Sequence, residues 1–272
     1  MSDQYQYPFD PIIYPAEPLD KTGDLRLGYY ATETTQRHVF GRYGITWDGK
    51  KFKYCHSLDT IYPGRGAFNG AGTDISALIN TVTPAAIVIG DRKTTITIAG
   101  TEGYAADGVI AKDELAGANL VLGHGAAATT ENRTVVGNTL GASGGSVITV
   151  WVDYPFAVTH AAGVACELPL NAYRYCIAAS SYASVVGVAN MSVTTGYNFW
   201  AQTWGPCWCV PGGGDSTPGD TASDRSMYFV GDGSVNGAYA IAIETGYQIA
   251  GWIMDGTESG TGCMPMVFLQ IS

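Results

Sequence analysis

Between positions 39 and 56 the chain reads VFGRYGITWDGKKFKYCH, two runs of alternating apolar and polar residues flanking Trp47-Asp48-Gly49-Lys50. A period of two marks a strand with one buried face, and Asp-Gly supplies the positive φ angles of a tight type I′ turn, so this segment predicts a β-hairpin. Tyr43, Ile45 and Trp47 form one set of alternates and Phe52, Tyr54 and His56 another, which predicts an aromatic face and a cationic face.

Further strand signals crowd the segment from Pro84 to Pro155: 85–90, 94–100, 107–111, 118–123, 133–138 and 146–152, each bounded by Gly, Asp or Asn. Short strands at this spacing predict a small sandwich or barrel. A second series is predicted at 174–179, 184–190, 197–204, 207–210, 226–230, 238–244, 248–254 and 265–271, interrupted by the turn-rich loop PGGGDSTPGD (211–220). Residues 63–72 read as a Gly- and Asn-rich loop. DISALIN (74–80), with Asp74 as its cap, is the best short helix candidate. The first 27 residues carry Pro8, Pro11, Pro15 and Pro18, which preclude a regular helix and favour an extended arm. Tyr5, Tyr7, Phe9, Ile12, Ile13 and Tyr14 make that arm apolar, so it is expected to lie against its own domain or a neighbouring subunit.

Composition supports the β reading. Val, Ile and Thr number 65 against 12 Leu, and β-branched side chains pack well on pleated surfaces while losing χ1 freedom in helices. The expected fold is therefore mainly β with little helix: an extended arm (1–27), a first β domain (28–155, including the 39–56 hairpin) and a second (156–272), each a small sandwich or barrel. No apolar run is long enough to span a bilayer, and the start lacks the basic and apolar regions of a secretory leader, so a soluble chain without a membrane partner is expected. Six cysteines, Cys55, Cys166, Cys176, Cys207, Cys209 and Cys263, read as reduced, buried small hydrophobes.

The net charge of −10 argues against nucleic-acid binding, which draws its affinity from Lys and Arg on phosphates. Charge is also uneven. Arg37, Arg42, Lys50, Lys51, Lys53 and Arg65 face only Asp48 and Asp59 in the same stretch, whereas from Cys166 onward two basic residues stand against eight acidic ones. This predicts either a cationic segment docking on an acidic partner or a solvated basic hairpin.

No catalytic constellation emerges from the sequence. His38, His56, His124 and His160 lack metal-ligand spacing. The glycines of 64–70 precede no convincing helix, so they do not make a dinucleotide fingerprint, and GASGGS (141–146) lacks the lysine of a P-loop. Lys112-Asp113-Glu114 reads as solvated charge in a turn, and Cys207-Trp208-Cys209 as a strand with both sulfurs on one face. Neither catalytic residues nor a cofactor or metal are expected. A β-fold hydrolase would need dispersed acids such as Asp153 and Glu167 to meet in space.

The most specific stretch is Gly196-Tyr197-Asn198-Phe199-Trp200-Ala201-Gln202-Thr203-Trp204-Gly205-Pro206-Cys207. As a strand it places Tyr197, Phe199, Ala201 and Thr203 on one face and Asn198, Trp200, Gln202 and Trp204 on the other. Both faces are worth burying, as in a central core strand; the other reading leaves Trp200, Gln202 and Trp204 as a platform for a partner or sugar.

The aromatic-Trp-x-Gln-Thr-Trp-Gly-Pro pattern, with Ala201 where Val is usual, resembles the hallmark of capsid decoration (cement) proteins of tailed bacteriophages. The proline-rich start, Asp48-Gly49-Lys50-Lys51-Phe52-Lys53-Tyr54, Glu131-Asn132-Arg133-Thr134-Val135-Val136-Gly137-Asn138 and Met266-Val267-Phe268-Leu269 fit the same picture. The resemblance implies a non-enzymatic virion protein that is made in the host bacterial cytoplasm and binds the outer capsid surface. Its partner would be the major capsid protein, whose lattice it stabilises as a homo-oligomer, with a trimer favoured. The arm residues Tyr5, Tyr7, Phe9, Ile12 and Tyr14 and the cations Arg37 to Arg65 would contact the capsid or a neighbouring copy, while Tyr197, Phe199, Trp200, Gln202, Trp204 and Pro206 form the motif core. The alternative is a tail or fibre component, or a carbohydrate-binding module of a virion, with Trp200, Trp204 and Trp208 as sugar platforms.

Overall fold

The computed structural model describes residues 30–46, 48–70, 78–103, 107–123, 130–180, 183–212, 225–237, 247–255 and 265–271. The predicted arm, with Tyr5, Tyr7, Phe9, Ile12 and Tyr14, lies outside these residues, as do Trp47, His124, Cys263, the strand expected at 238–244 and most of the 211–220 loop. The described residues are nearly all β, 48% strand and 1% helix, in two curled antiparallel sheets, each a half-barrel. Among the described residues no helix is long and apolar enough to cross a membrane.

In chain order the strands are β1 (Thr32–Glu33), β2 (Tyr43–Ile45), β3 (Lys51–His56), β4 (Gly66–Asn69), β5 (Leu78–Val82), β6 (Lys93–Thr97), β7 (Asn119–Leu122), β8 (Glu131–Asn138) and β9 (Val147–Val152). There follow β10 (Ala165–Pro169), β11 (Cys176–Ile177), β12 (Val185–Ala189), β13 (Asn198–Trp208), β14 (Ser226–Phe229), β15 (Val235–Gly237), β16 (Ile249–Asp255) and β17 (Met266–Gln270). Two compact units result. Of the described residues, 78–172 form unit 1, and 30–70 with 173–271 form unit 2.

Unit 1 is the six-stranded sheet β5-β10-β7-β8-β9-β6. Its strands alternate as half-buried strands should: in β9, Ile148, Val150 and Val152 point into the core while Val147, Thr149 and Trp151 do not. Buried Asn138 ends β8 and organises the neighbouring turn. Its Nδ2 donates to the Ala111 and Thr139 carbonyls, both at 2.8 Å, and its Oδ1 accepts the Leu115 amide at 2.8 Å. Unit 2 is the eleven-stranded sheet β11-β4-β12-β13-β17-β16-β14-β15, with β1 and β3 also paired to β13, and β2 to β3. Phe68, Val188, Met227, Phe229, Val235, Ile253, Val267 and Leu269 lie in its core.

The domain boundaries differ from those expected. The hairpin of 39–56 does not belong with the strands after it: β3 pairs with β13 from Asn198↔His56 to Trp204↔Lys51. Residues 156–172 belong with unit 1, because β10 pairs with β5 and β7. Unit 1 is thus an insertion into unit 2 between β4 and β11, where Asn69 pairs with Cys176 and the Gly70 amide donates to the Tyr175 carbonyl at 2.9 Å.

Three local expectations are also corrected. Of the segment 74–80 expected as helix, residues 78–80 are strand, because β5 gains a full ladder with β10, while 74–77, with the Asp74 cap, lie outside the described residues. Residues 66–69, read as loop, are β4, with Ala67 and Phe68 buried between β11 and β12. The hairpin forms, but with one more residue in its turn. Thr46 pairs with Lys50, the Gly49 amide donates to the Thr46 carbonyl at 3.0 Å, and Gly49 takes φ +83° while Asp48 takes no positive φ. This is a three-residue loop with glycine in the left-handed region. The extra residue shifts the register by one, so Tyr43 faces Lys53 and Ile45 faces Lys51. Aromatic and cationic side chains therefore share a face.

Candidate functional site

β13 is the crossroads of unit 2. Along its length it pairs with β1, β12, β3 and β17. One face of the strand is buried, with Phe199, Ala201 and Cys207; on the other, Asn198 and Gln202 are buried, Trp200 and Trp204 half-buried and Trp208 exposed. The motif resolves into a bulge and the side chain that secures it. The ladder to β3 slips between Gln202 and Trp204, Gly205 takes φ +89°, and Pro206 brings no amide hydrogen. Gln202, only 1% exposed, directs Nε2 at the carbonyls of Trp204 (3.1 Å), Gly205 (3.2 Å) and Pro206 (2.9 Å). Its Oε1 accepts from Asn190 Nδ2 at 2.9 Å, and Asn190 Oδ1 in turn accepts from the Cys207 thiol at 3.3 Å. The Gln-Thr-Trp-Gly-Pro spacing thus places a donor amide over the carbonyls of the bulge that follows it.

On one side of the motif Trp200 is half-buried in an aromatic cluster, 5.2 Å from Tyr54 and 5.3 Å from His38 between ring centroids, with Phe40 stacked on Tyr54 at 5.7 Å. The Tyr54 hydroxyl donates to Glu33 Oε1 at 3.0 Å and accepts the Arg37 amide at 3.2 Å. Burial, above all, pushes this phenol far above its ordinary range. Burial and then Arg42, whose Nη1 donates to His38 Nδ1 at 3.0 Å, hold His38 below its usual 6.5.

At the other end of β13 the register assembles an outward face. Trp208 stands opposite Met266, Pro206 opposite Phe268, and Phe268 opposite Trp252. Trp252 and Phe268 stack at 5.2 Å, and Trp204 meets Phe268 edge-on at 5.5 Å. The alternate residues Cys207, Val267, Leu269 and Ile253 fill the core, so this second set faces away from it. Trp208, Trp252, Met254 and Met266 are each about two-fifths exposed, and Ile249 is 55% exposed. Neighbouring exposed aromatics and methionines have the composition of a protein-binding surface. Of the three tryptophans considered as sugar platforms, Trp200 packs against Tyr54 and His38, and Trp204 lies under Lys51 and beside Phe268. Trp208 is the more open ring, although the Gly64 backbone lies so close that a Cβ there would come within 1.7 Å of it.

The structure engages the basic residues within the chain. Arg37 pairs with Glu33, Lys50 with Asp48 at 3.3 Å, and Arg65 with Asp232 at 2.5 Å. Lys51 sits 4.7 Å above the Trp204 ring. Lys53 lies between the rings of Tyr43 (5.3 Å) and Tyr173 (5.4 Å) and donates to the Gly41 carbonyl at 3.3 Å; burial pulls its pKa down. Lys51, Lys53 and Arg65 reach Trp204, Tyr173 and Asp232 and so tie the 33–65 stretch to the rest of unit 2, whereas the pairs of Arg37 and Lys50 are local to it.

In unit 1, Glu131 Oε1 accepts from Arg133 Nη2 (2.6 Å) and the Ala157 amide (2.7 Å), while Oε2 lies 3.0 Å from His160 Nε2. This buried cluster straps residues 155–160 to β8. Glu114, expected to be solvated, is buried and accepts the Ala111 amide at 2.5 Å, capping its own turn. Cys55, Cys166, Cys176, Cys207 and Cys209 are buried free thiols, and burial pushes Cys166 up to about 12. Among the described residues no group of three or more His, Cys, Asp or Glu side chains is placed to hold a metal ion. The surface of the described residues carries open depressions, among them one of about 220 Å³ in unit 2, lined by Thr34, Gln36, Phe40, His56, Arg174, Tyr175 and Asn198, and one of about 400 Å³ in unit 1, lined by Asn119, Asn132, Arg133, Thr134, Asp153 and Tyr154.

Sequence reasoning found β13 through its aromatic density, but it missed Trp252, Met254, Met266 and Phe268 as members of the same face. Their strands are separate in sequence, and only the pairing register joins them. Compared with known protein families, curated proteins and solved structures, the chain finds no match.

Proposed function

We propose that this chain is a virion structural protein without enzymatic activity. It is a capsid decoration protein that binds the outer surface of a phage head as a homotrimer and reinforces the lattice of the major capsid protein. The observation that carries this reading is the outward aromatic and methionine face of β13, β17 and β16, built on the same strand as the aromatic-Trp-x-Gln-Thr-Trp-Gly-Pro pattern. Such a face gains from being covered by protein, and its methionines can adapt to a partner surface. Repeated by the symmetry of a shell, contacts of modest individual strength add to firm attachment. The arm of residues 1–27 supplies a second grip.

The test is co-sedimentation of the purified protein with expanded capsids stripped of decoration. Trp252→Ser combined with Met266→Ser alters exposed side chains, so the variant is expected to stay folded and to bind at least about tenfold more weakly. Deleting residues 1–27 is expected to weaken binding as well. Undiminished capsid binding by the double variant would discard this face as the docking surface, and failure of the parent chain to bind any capsid would discard the proposal.

A further inference from the structure

We propose that unit 1 carries a binding site for a neutral hexopyranose, in the 400 Å³ depression beside β7 and β8. The volume falls within the range usual for small-ligand sites, and its lining combines a ring with several hydrogen-bonding groups. Tyr154 is 69% exposed, so its ring is open to stack against the C–H face of a sugar. Asn119 and Asn132 project from the outward face of neighbouring strands, in a register where Asn119 faces Thr134 and Asn132 faces Val121. Both are exposed, and among the described residues neither side-chain amide has a hydrogen-bond partner. A carboxamide offers donors and an acceptor in one plane, which suits vicinal hydroxyls.

Asp153 supplies the complementary acceptor. Its Oδ1 is occupied by the amides of Thr134 (3.0 Å) and Tyr154 (2.9 Å), which fix the carboxylate, while Oδ2 has no partner among the described residues. The wall is rigid as well. Arg133 is held by Glu131, by the Asn132 carbonyl at 2.7 Å and by the Pro155 carbonyl at 3.0 and 3.2 Å. A group held this way loses little freedom when a ligand arrives. Because the guanidinium is already paired with Glu131, the site offers an acid no unpaired cation; its open groups are amides, one carboxylate oxygen and a phenol. That set fits an uncharged polyol and disfavours an acidic sugar.

The proposal does not rest on the capsid reading, since it concerns unit 1 and the docking face belongs to unit 2. Titration of the full ¹⁵N-labelled chain with methyl glucoside, methyl galactoside and methyl mannoside, followed by amide correlation spectra, tests it. At least one sugar is expected to shift the amides of residues 119, 132–134 and 153–154 saturably, with a Kd of about 1 mM. Tyr154→Ala and Asn132→Ala should each weaken binding about tenfold or more, while Tyr154→Phe keeps the ring and binds. Asn119→Ser serves as a second polar variant should Asn132→Ala disturb the fold. The site assignment is overturned if none of the three sugars moves these amides, if Tyr154→Ala leaves the shifts unchanged, or if N-acetylneuraminic acid binds there in preference to the neutral sugars.

Discussion

Glu131 shows what a buried carboxylate needs in order to stay ionised. Burial raises its pKa, but the Ala157 amide, the His160 ring and Arg133 together outweigh that cost, and the net shift is below the ordinary 4.5. A carboxyl whose folded pKa is depressed stabilises the fold above its unfolded pKa and loses that contribution as pH falls through the folded value. Thermal unfolding followed between about pH 6 and pH 3 should therefore show an acid-side loss of stability. Glu131→Gln should lower the melting temperature at neutral pH and flatten that loss. An acid limb as steep in the variant as in the parent would show that other carboxylates set it. None of this cluster was legible in the sequence, because Glu131 and His160 are 29 positions apart and no spacing rule joins them.

Among the elements, β13 was the most legible and the hairpin the most instructive. The aromatic density of 197–207 indicated a strand, and β13 buries Phe199, Ala201 and Cys207 on one face, while the other runs from half-buried Trp200 and Trp204 to the exposed Trp208. The hairpin was equally visible, yet its turn was read one residue short, and one residue exchanges the faces of every side chain that follows. The reading of 66–69 as loop failed because its glycine pattern suggested a turn, whereas Gly66 lies where a Cβ would come within 2.9 Å of Val185. The bulge in β13 carries a prediction at this scale. Gln202→Leu preserves the apolar packing but leaves the carbonyls of Trp204, Gly205 and Pro206 without their donor. Losing donors to buried acceptors costs about 1–3 kcal/mol per group, so a stability loss of about 2 kcal/mol or more is expected in urea denaturation. A loss below about 0.5 kcal/mol would mean that water serves these carbonyls equally well.

At the scale of the whole molecule, the mainly β class followed directly from composition and alternation. The division of the chain did not, because β3 and β13 meet across 142 positions and long-range pairing leaves no local signature. A reading that proceeds along the chain assigns neighbours in sequence to one domain, and an inserted unit defeats it. The insertion can be checked by removal. Replacing residues 74–172 with a short Gly/Ser linker should leave unit 2 folded, because its core and ladders draw on residues outside that range. Cooperative unfolding and dispersed amide signals of the shortened chain are the expected results, whereas aggregation or a molten spectrum would show that the two units depend on each other to fold.

The hydrogen bond from Gly70 to Tyr175 has a consequence for how this architecture can change. Wherever two ends of a peptide emerge side by side, any module whose own termini lie close together can be spliced between them without reshaping the host. Here that junction separates the piece presenting the proposed sugar contact from the piece presenting the proposed docking face. Evolution, or an engineer, could exchange the recognition cassette while retaining the mount.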